Sequence, residues 1–482
     1  MRFDSMVRVS AVLWFAATSW ATAAPAPSPV APGDQPGKSA TFTRDVAPIL
    51  FENCAGCHRP GEVAPFPLLS YADAKRRAGQ IAEVTGSRFM PPWLPTAGHG
   101  EFTGDRRLSE AQVATLKAWA DAGAPEGDRK DLPPTPKFTE GWALGEPDLV
   151  VKMPDKYELV AEGRDVFRVF VLPLGLDADK YVTAVDYRPA NRKIVHHALL
   201  FTDGTGTARK LDEADPGVGY GRGGGGVGFQ PSGGLGGWAP GVTPRHLPDG
   251  TARLLRKGSD LVVQVHFHPS GKVEHEQSTV GLYFAKKEPQ RLALSLPKSF
   301  RRALLDVAPG QKGFTLSDTF TLPIEANVIG IFPHAHLLCN EIKVDATLPD
   351  GTVKPLIWIK DWDWNWQDEF LYKEPFRLPA GTKVEQKYVF DNSADNPRNP
   401  NVPPKRVTWG EQTADEMAIT FFMITAPKDA LIFQLGGMAG GGANRPGAGV
   451  ARGALRGAFQ QRGGEATVPP ATRPAAVDGA KD

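Results

Sequence analysis

Cysteine is nearly missing from this chain: Cys54, Cys57 and Cys339 are the three in 482 residues. With so few thiols, disulfides cannot staple the fold, and stability must come from packing and from bound metals. Net charge is scarce as well, since 55 basic and 54 acidic residues leave only +1. That balance gives no field for nucleic acid or for an anionic membrane surface. Arg452, Arg456 and Arg462 are too sparse to alter this. Beyond the N-terminus no apolar run is long enough for a stable membrane span. Histidine is infrequent, at ten residues, so its placement carries information.

What the chain does have is glycine and proline, 52 and 44 residues, which point to turns, short strands and loose ends. Its length exceeds one compact core and implies two or three domains. Arg2 and Arg8, the apolar run from Ala11 to Ala24 and the small residues Ala21-Thr22-Ala23 read as a secretory signal over 1–23. An exported protein, periplasmic or extracellular, is expected. Residues 24–40 form a Pro/Ala/Gly/Ser linker, and 41–128 carry helical punctuation. Helices are expected over Asp45 to Glu52, Ser70 to Val84 behind a capping Ser, and Ser109 to Ala122 behind a capping box, closed by Gly123. A Pro-rich stretch at 132–137 marks a boundary. From Trp142 onward, short β-rich runs such as Val166 to Leu172, Leu261 to His268, Val328 to Phe332 and Val384 to Phe390 alternate with turn residues. These predict two mainly antiparallel, jelly-roll-like β-sandwiches over 142–290 and 291–435, meeting near Glu288 to Leu296. Residues 217–241 read as a Gly-rich loop without the Lys-Ser/Thr ending of a phosphate cradle, and 436–482 as a disordered tail.

Cys54-Ala55-Gly56-Cys57-His58 has the spacing of covalent haem c attachment. Two thiols at this separation reach one edge of the porphyrin while the next residue turns its imidazole to the iron. A structural zinc would need further ligands nearby, and a thioredoxin-type pair would not require His58. For the opposite axial ligand, Met90 in Arg88-Phe89-Met90-Pro91-Pro92-Trp93 is the candidate, with His99 as its rival. The segment resembles a small single-haem cytochrome c domain.

The remaining histidines are paired. His196 and His197 are adjacent, His266 and His268 are two apart, and His334 and His336 repeat that spacing; only His246 and His275 stand outside. On a strand, residues i and i+2 share a face, so His-x-His can present two imidazoles to one metal. Spacing alone does not name the metal, because imidazole suits zinc, copper, iron and nickel. A thioether nearby favours copper.

In order, these segments resemble the copper type II, ascorbate-dependent monooxygenases, the family of dopamine β-hydroxylase and the peptidylglycine-hydroxylating enzymes. The resemblance spans about Trp142 to Pro427 and includes Gly237-Trp238-Ala239-Pro240-Gly241. It implies a first copper on His196, His197 and His266, the last in a Gln264-Val265-His266 strand. It implies a second copper on His334, His336 and Met417, the Met lying in Asp415-Glu416-Met417-Ala418. The implied chemistry is hydroxylation of a C–H bond of a small organic substrate by dioxygen at the second site. The first site then passes on an electron, drawn from a redox donor protein, a small reductant or the fused haem. The departures are also specific. One cysteine stands where animal members have many, and Phe332 stands where the peptide-amidating branch holds a peptide carboxylate with Arg. His268 rivals His266, and Met423 rivals Met417. A non-catalytic electron-transfer or copper-holding protein and a zinc hydrolase are the alternatives. Trp362, Trp364 and Trp366 are expected on one face of a strand, and Cys339 as a buried small hydrophobe or an outer group near copper.

Overall fold

Alternation of apolar and polar residues carries most of this chain into sheet. In Lys383–Phe390, every second residue from Val384 to Phe390 is buried, as a strand with one face on a core requires. The structure is a computed structural model that describes residues 39–62, 64–138, 141–221 and 226–428. The expected signal segment 1–23, nearly all of the linker 24–40 and the tail 436–482 lie outside the described residues. No helix among the described residues is long and apolar enough to cross a membrane.

The helices gather near the N-terminus. A π-helical turn, Phe42–Val46, runs into the helix Ala47–Asn53. The helix expected from Ser70 is broken into Tyr71–Lys75 and Ala78–Gly86. Glu110–Asp121 opens with the capping box, Ser109 and Gln112 exchanging side-chain and backbone bonds. Phe42, Leu50, Ile81, Leu116 and Trp119 close a core of their own between these helices. Residues 93–106 leave this unit and join the sheets. Pro95 bridges to Ile359, Phe102 bridges to Tyr372, and Phe102 is buried in a β core.

Beyond residue 148 the regular structure is mostly strand, with one α-helix, Thr207–Ala214, among the described residues. One four-stranded sheet is ordered Val166–Pro173, Asp260–Phe267, Val195–Asp203, Gly233–Trp238. Another is ordered Phe314–Thr321, Lys383–Phe390, Cys339–Thr347, Val353–Ile359. Both pack against a single eight-stranded sheet, and each pairing encloses one hydrophobic core. At the segment expected to divide the two units, their strands also share one sheet. Arg291–Ser299 pairs in parallel with Thr251–Leu255 and antiparallel with Ala418–Pro427. The backbone groups at this junction are thereby satisfied within one continuous sheet.

Two local expectations are corrected. The Gly-rich stretch ends in a strand, Gly233–Trp238, paired with Val195–Asp203. Glycine serves there because a Cβ on Gly237 would meet the Ala198 carbonyl at 3.0 Å. The three tryptophans lie not on a strand but in the irregular segment between Val353–Ile359 and Phe370–Leu378. They diverge. Trp362 is buried in the second core, Trp364 reaches the first unit, and Trp366 packs beside Gly241.

Candidate metal centres

The first histidine cluster is built by a bulge. Val195 and Ala198 both point into the core of the first unit, although they are three apart and plain alternation would oppose them. The ladder to Asp260–Phe267 shifts between Val195 and His197. The extra residue lets His196 and His197 both escape the core face. His266 lies across the ladder from His197, between the core residues Val265 and Phe267, and so also projects from the outer face. The ligand atoms of His196, His197 and His266 all lie within 4.8 Å of one another. The Nδ1 atoms of His196 and His197 are 3.1 Å apart, close to the ~3.3 Å edge expected of nitrogens around a tetrahedral ion. Burial, reinforced by the neighbouring imidazoles, depresses the pKa of both residues well below the ordinary value. They are neutral donors at pH 7, as metal ligation requires.

Phe167 stacks on His266 at 4.1 Å, and Asp165 Oδ2 stands 3.0 Å from His266 Nε2. His268 does not join the cluster. Its Nδ1 binds Asp165 Oδ1 at 2.7 Å, and the ring is 67% exposed. Burial would raise the Asp165 carboxyl. The imidazoles of His266 and His268 and the Thr413 hydroxyl outweigh it and hold the group below the usual carboxylate range.

The second pair occupies the outer face of the eight-stranded sheet. Ala335 points into the second core, so His334 and His336 on either side point out. His334 Nδ1 is 2.6 Å from Gln367 Oε1, and His336 Nδ1 is 3.2 Å from the Asp415 carbonyl. Each contact gives Nδ1 the proton and leaves Nε2 free to ligate. Burial pushes His334 down to about 4 and His336 down to about 3. His334 is paired with Ile419 and Ala335 with Ala418, so the next residue along, Met417, falls opposite His336 and on its face. Glu416 is buried and accepts from the N–H groups of His336, Leu338 and Met417, which ties the His-x-His strand to the Met segment. Met423 is buried with Leu247, Ala293, Ile329 and Leu371, in a core patch rather than beside the histidines. Cys339 is buried in the second core.

The two clusters face each other. Trp364 lies flat on His196 at 3.6 Å, while Trp362 Nε1 donates to the His336 carbonyl at 3.1 Å. Thr413, two residues from Asp415, donates to Asp165. Asp165, Gln367 and Thr413 had no signal in the sequence, because they meet the histidines only through chain crossings, and Trp364 stood out only by its alternation with Trp362 and Trp366.

In the helical unit, the helix Ala47–Asn53 ends at Cys54, and the N–H groups of Cys57 and His58 both return to the Cys54 carbonyl. Burial pushes the Cys54 thiol up to about 12 and raises that of Cys57. A redox pair needs the opposite shift. His58 Nδ1 lies 3.1 Å from the Phe66 carbonyl, which leaves Nε2 as the free ligand atom. These features fit a covalently held haem. Met90 is half-buried and anchored by its N–H to the Val84 carbonyl; no bond or ring contact joins it to His58 among the described residues. His99 packs edge-on against Trp358 of the second β unit at 4.7 Å.

No family model matches the chain, and no curated protein does. Among solved structures, the major capsid protein P2 of bacteriophage PM2 aligns at 6% identity, covering 52% of this chain and 99% of that one, with a TM-score of 0.21. The PBCV-1 VP54 structure fitted into a reconstruction of the virophage Sputnik aligns at 5% identity over 57% of this chain and 94% of that one, with a TM-score of 0.20. Scores this low do not define a shared fold.

Proposed function

We propose that the chain is an exported oxidoreductase that holds a covalent haem c and two copper ions and hydroxylates a C–H bond of a small organic substrate with dioxygen. What supports this most is the convergence of His196, His197 and His266 opposite a second pair, His334 and His336, with Met417 on the face of that pair. Copper in such sites supplies one-electron chemistry toward dioxygen, and a haem c supplies an electron relay. The residues do the rest. Gln367 and the Asp415 carbonyl hold the tautomers of His334 and His336, and Trp364 covers His196 from the other unit. The helical unit is on the same chain, which raises the effective concentration of an electron donor.

Metal analysis, a reduced-minus-oxidised spectrum and oxygen uptake test this together. The expected result is covalent haem, two coppers per chain, and oxygen uptake that needs both copper and a C–H substrate. Oxygen uptake indifferent to copper removal rules the reading out. One observation favours a second reading, hydrolysis on zinc: Asp165 places a carboxylate beside the histidine cluster. Anaerobic turnover of an ester or amide by the zinc-loaded protein would select it.

A further inference from the structure

A chain of charged hydrogen bonds ties the Cys54–His58 loop to the first β unit. Arg59, next to His58, donates from Nε to the Gly56 carbonyl at 3.2 Å and from Nη2 to Glu62 Oε1 at 2.8 Å. The other oxygen of Glu62 accepts from Arg192 Nη1 at 2.7 Å. These three side chains are about a quarter to a third exposed, so solvent screens their charges only in part. The Arg192 end is rigid. It stands in the turn 189–194, where buried Glu276 accepts from the N–H groups of Ala190 and Asn191 at 2.9 and 2.6 Å. Asn191 Nδ2 adds a bond to Glu274 at 2.9 Å. Ile194 and Val195 then enter the first core, and His196 follows at the bulge. The Cys57 thiol, raised by burial, also feels the charges of Arg106, Glu62, Arg59 and Arg192. Residues 93–106 already fasten the helical unit to the second β unit. What Glu62 adds is a direction: it turns the motif loop toward the first.

We propose that Glu62 and Arg192 are a positioning pair that docks the haem-attachment loop on the first β unit, so that electrons enter at the cluster of His196, His197 and His266. This docking rests on the haem and copper reading above and names its internal donor and point of entry. The step moves one electron and exchanges no bond or proton: ferrous haem iron becomes ferric, and Cu(II) at the first cluster becomes Cu(I). An external one-electron reductant such as ascorbate replaces the electron. Charge-assisted bonds suit this task, because they fix orientation between two surfaces more than they add stability. A rival route leads to the second cluster. Arg106 bonds Asp368 at 3.3 Å, and the adjacent Gln367 holds His334 at 2.6 Å.

The test uses the purified full chain, with its haem and copper contents measured first. Without oxygen, a flash-generated flavin radical reduces the haem, and the decay of the reduced α-band is followed as the electron leaves. In the parent the decay is expected to be independent of protein concentration and to be lost in His196→Ala. Glu62→Arg sets three guanidiniums together and should slow the decay about tenfold or more. Glu62→Gln should slow it less. Adding Arg192→Glu to Glu62→Arg should restore most of the rate, which a merely loosened fold would not do. The haem midpoint potential and the copper content should stay the same in these three variants. A decay slowed by Arg106→Gln but untouched by both Glu62 variants overturns the proposal and moves the entry to the second cluster. A decay that no variant changes overturns it as well. A parent chain without haem or without copper removes the reading above and this docking with it, an outcome told apart by the metal analysis alone.

Discussion

The indole of Trp364 lies on the imidazole of His196 with centroids 3.6 Å apart and planes 14° from parallel. These residues come from different β units, so the second unit acts as a lid on the ligand cluster of the first. A stacked ring pair contributes about 1 kcal/mol beyond its buried area. Trp364→Ala should keep the copper count and lower the affinity of the first site by about fivefold, read by competition with a chelator. Trp364→Phe should recover most of the loss. An unchanged affinity in the Ala variant would mean that the stack does not hold the ring.

The histidines differ in what their loss should do. His196→Ala removes one of three convergent donors and should lower bound copper by about one per chain. His268→Ala should leave the count unchanged, because its ring turns out to Asp165 and solvent. Equal copper loss in both variants would contradict the geometry.

Asp165 ties the clusters together through His266, His268 and Thr413. Partners behind metal ligands typically account for about 10–100-fold in affinity. Asp165→Asn should weaken copper binding within that range while haem spectra stay the same. A variant that binds copper as tightly as the parent would show that Asp165 neither orients nor charges the site.

Met417 and Met423 separate ligation from packing. Met417→Leu keeps volume at a half-buried position and should change stability by under ~1.5 kcal/mol. X-ray absorption of the reduced protein should then lose its sulfur neighbour at copper. Met423→Ala empties a buried site and should cost about 2–5 kcal/mol with the sulfur neighbour intact. A reduced parent with only nitrogen and oxygen around copper removes Met417 from the site.

For the haem, Cys57→Ala should abolish one thioether, and His58→Ala should abolish the low-spin spectrum. A normal c-type spectrum in His58→Ala would end the haem assignment.

Much of the local structure was legible because it depends on neighbours in the chain. The capping box at Ser109 and the strands around His266 and Val384 follow from spacings of two to four residues. The tryptophan segment misled for the same reason: alternation suggests a strand, yet among the described residues no ladder forms on it beyond the bond from the Trp362 N–H to the Asn340 carbonyl, and its rings serve three different places. The junction at 291–299 was equally hidden, since a parallel pairing with Thr251–Leu255 leaves no mark on either segment alone.

The sequence by itself determined that the chain is rich in strands, that its histidines come in pairs, and that Cys54, Cys57 and His58 stand at haem-attachment spacing. These are properties of residues a few positions apart. Only the tertiary structure decided that His266 rather than His268 meets His196 and His197, and that the helical unit's segment 93–106 is built into the sheets. Those outcomes turn on one bulge at His196 and on contacts across more than a hundred residues, where register and chain crossing, not composition, choose which side chains meet.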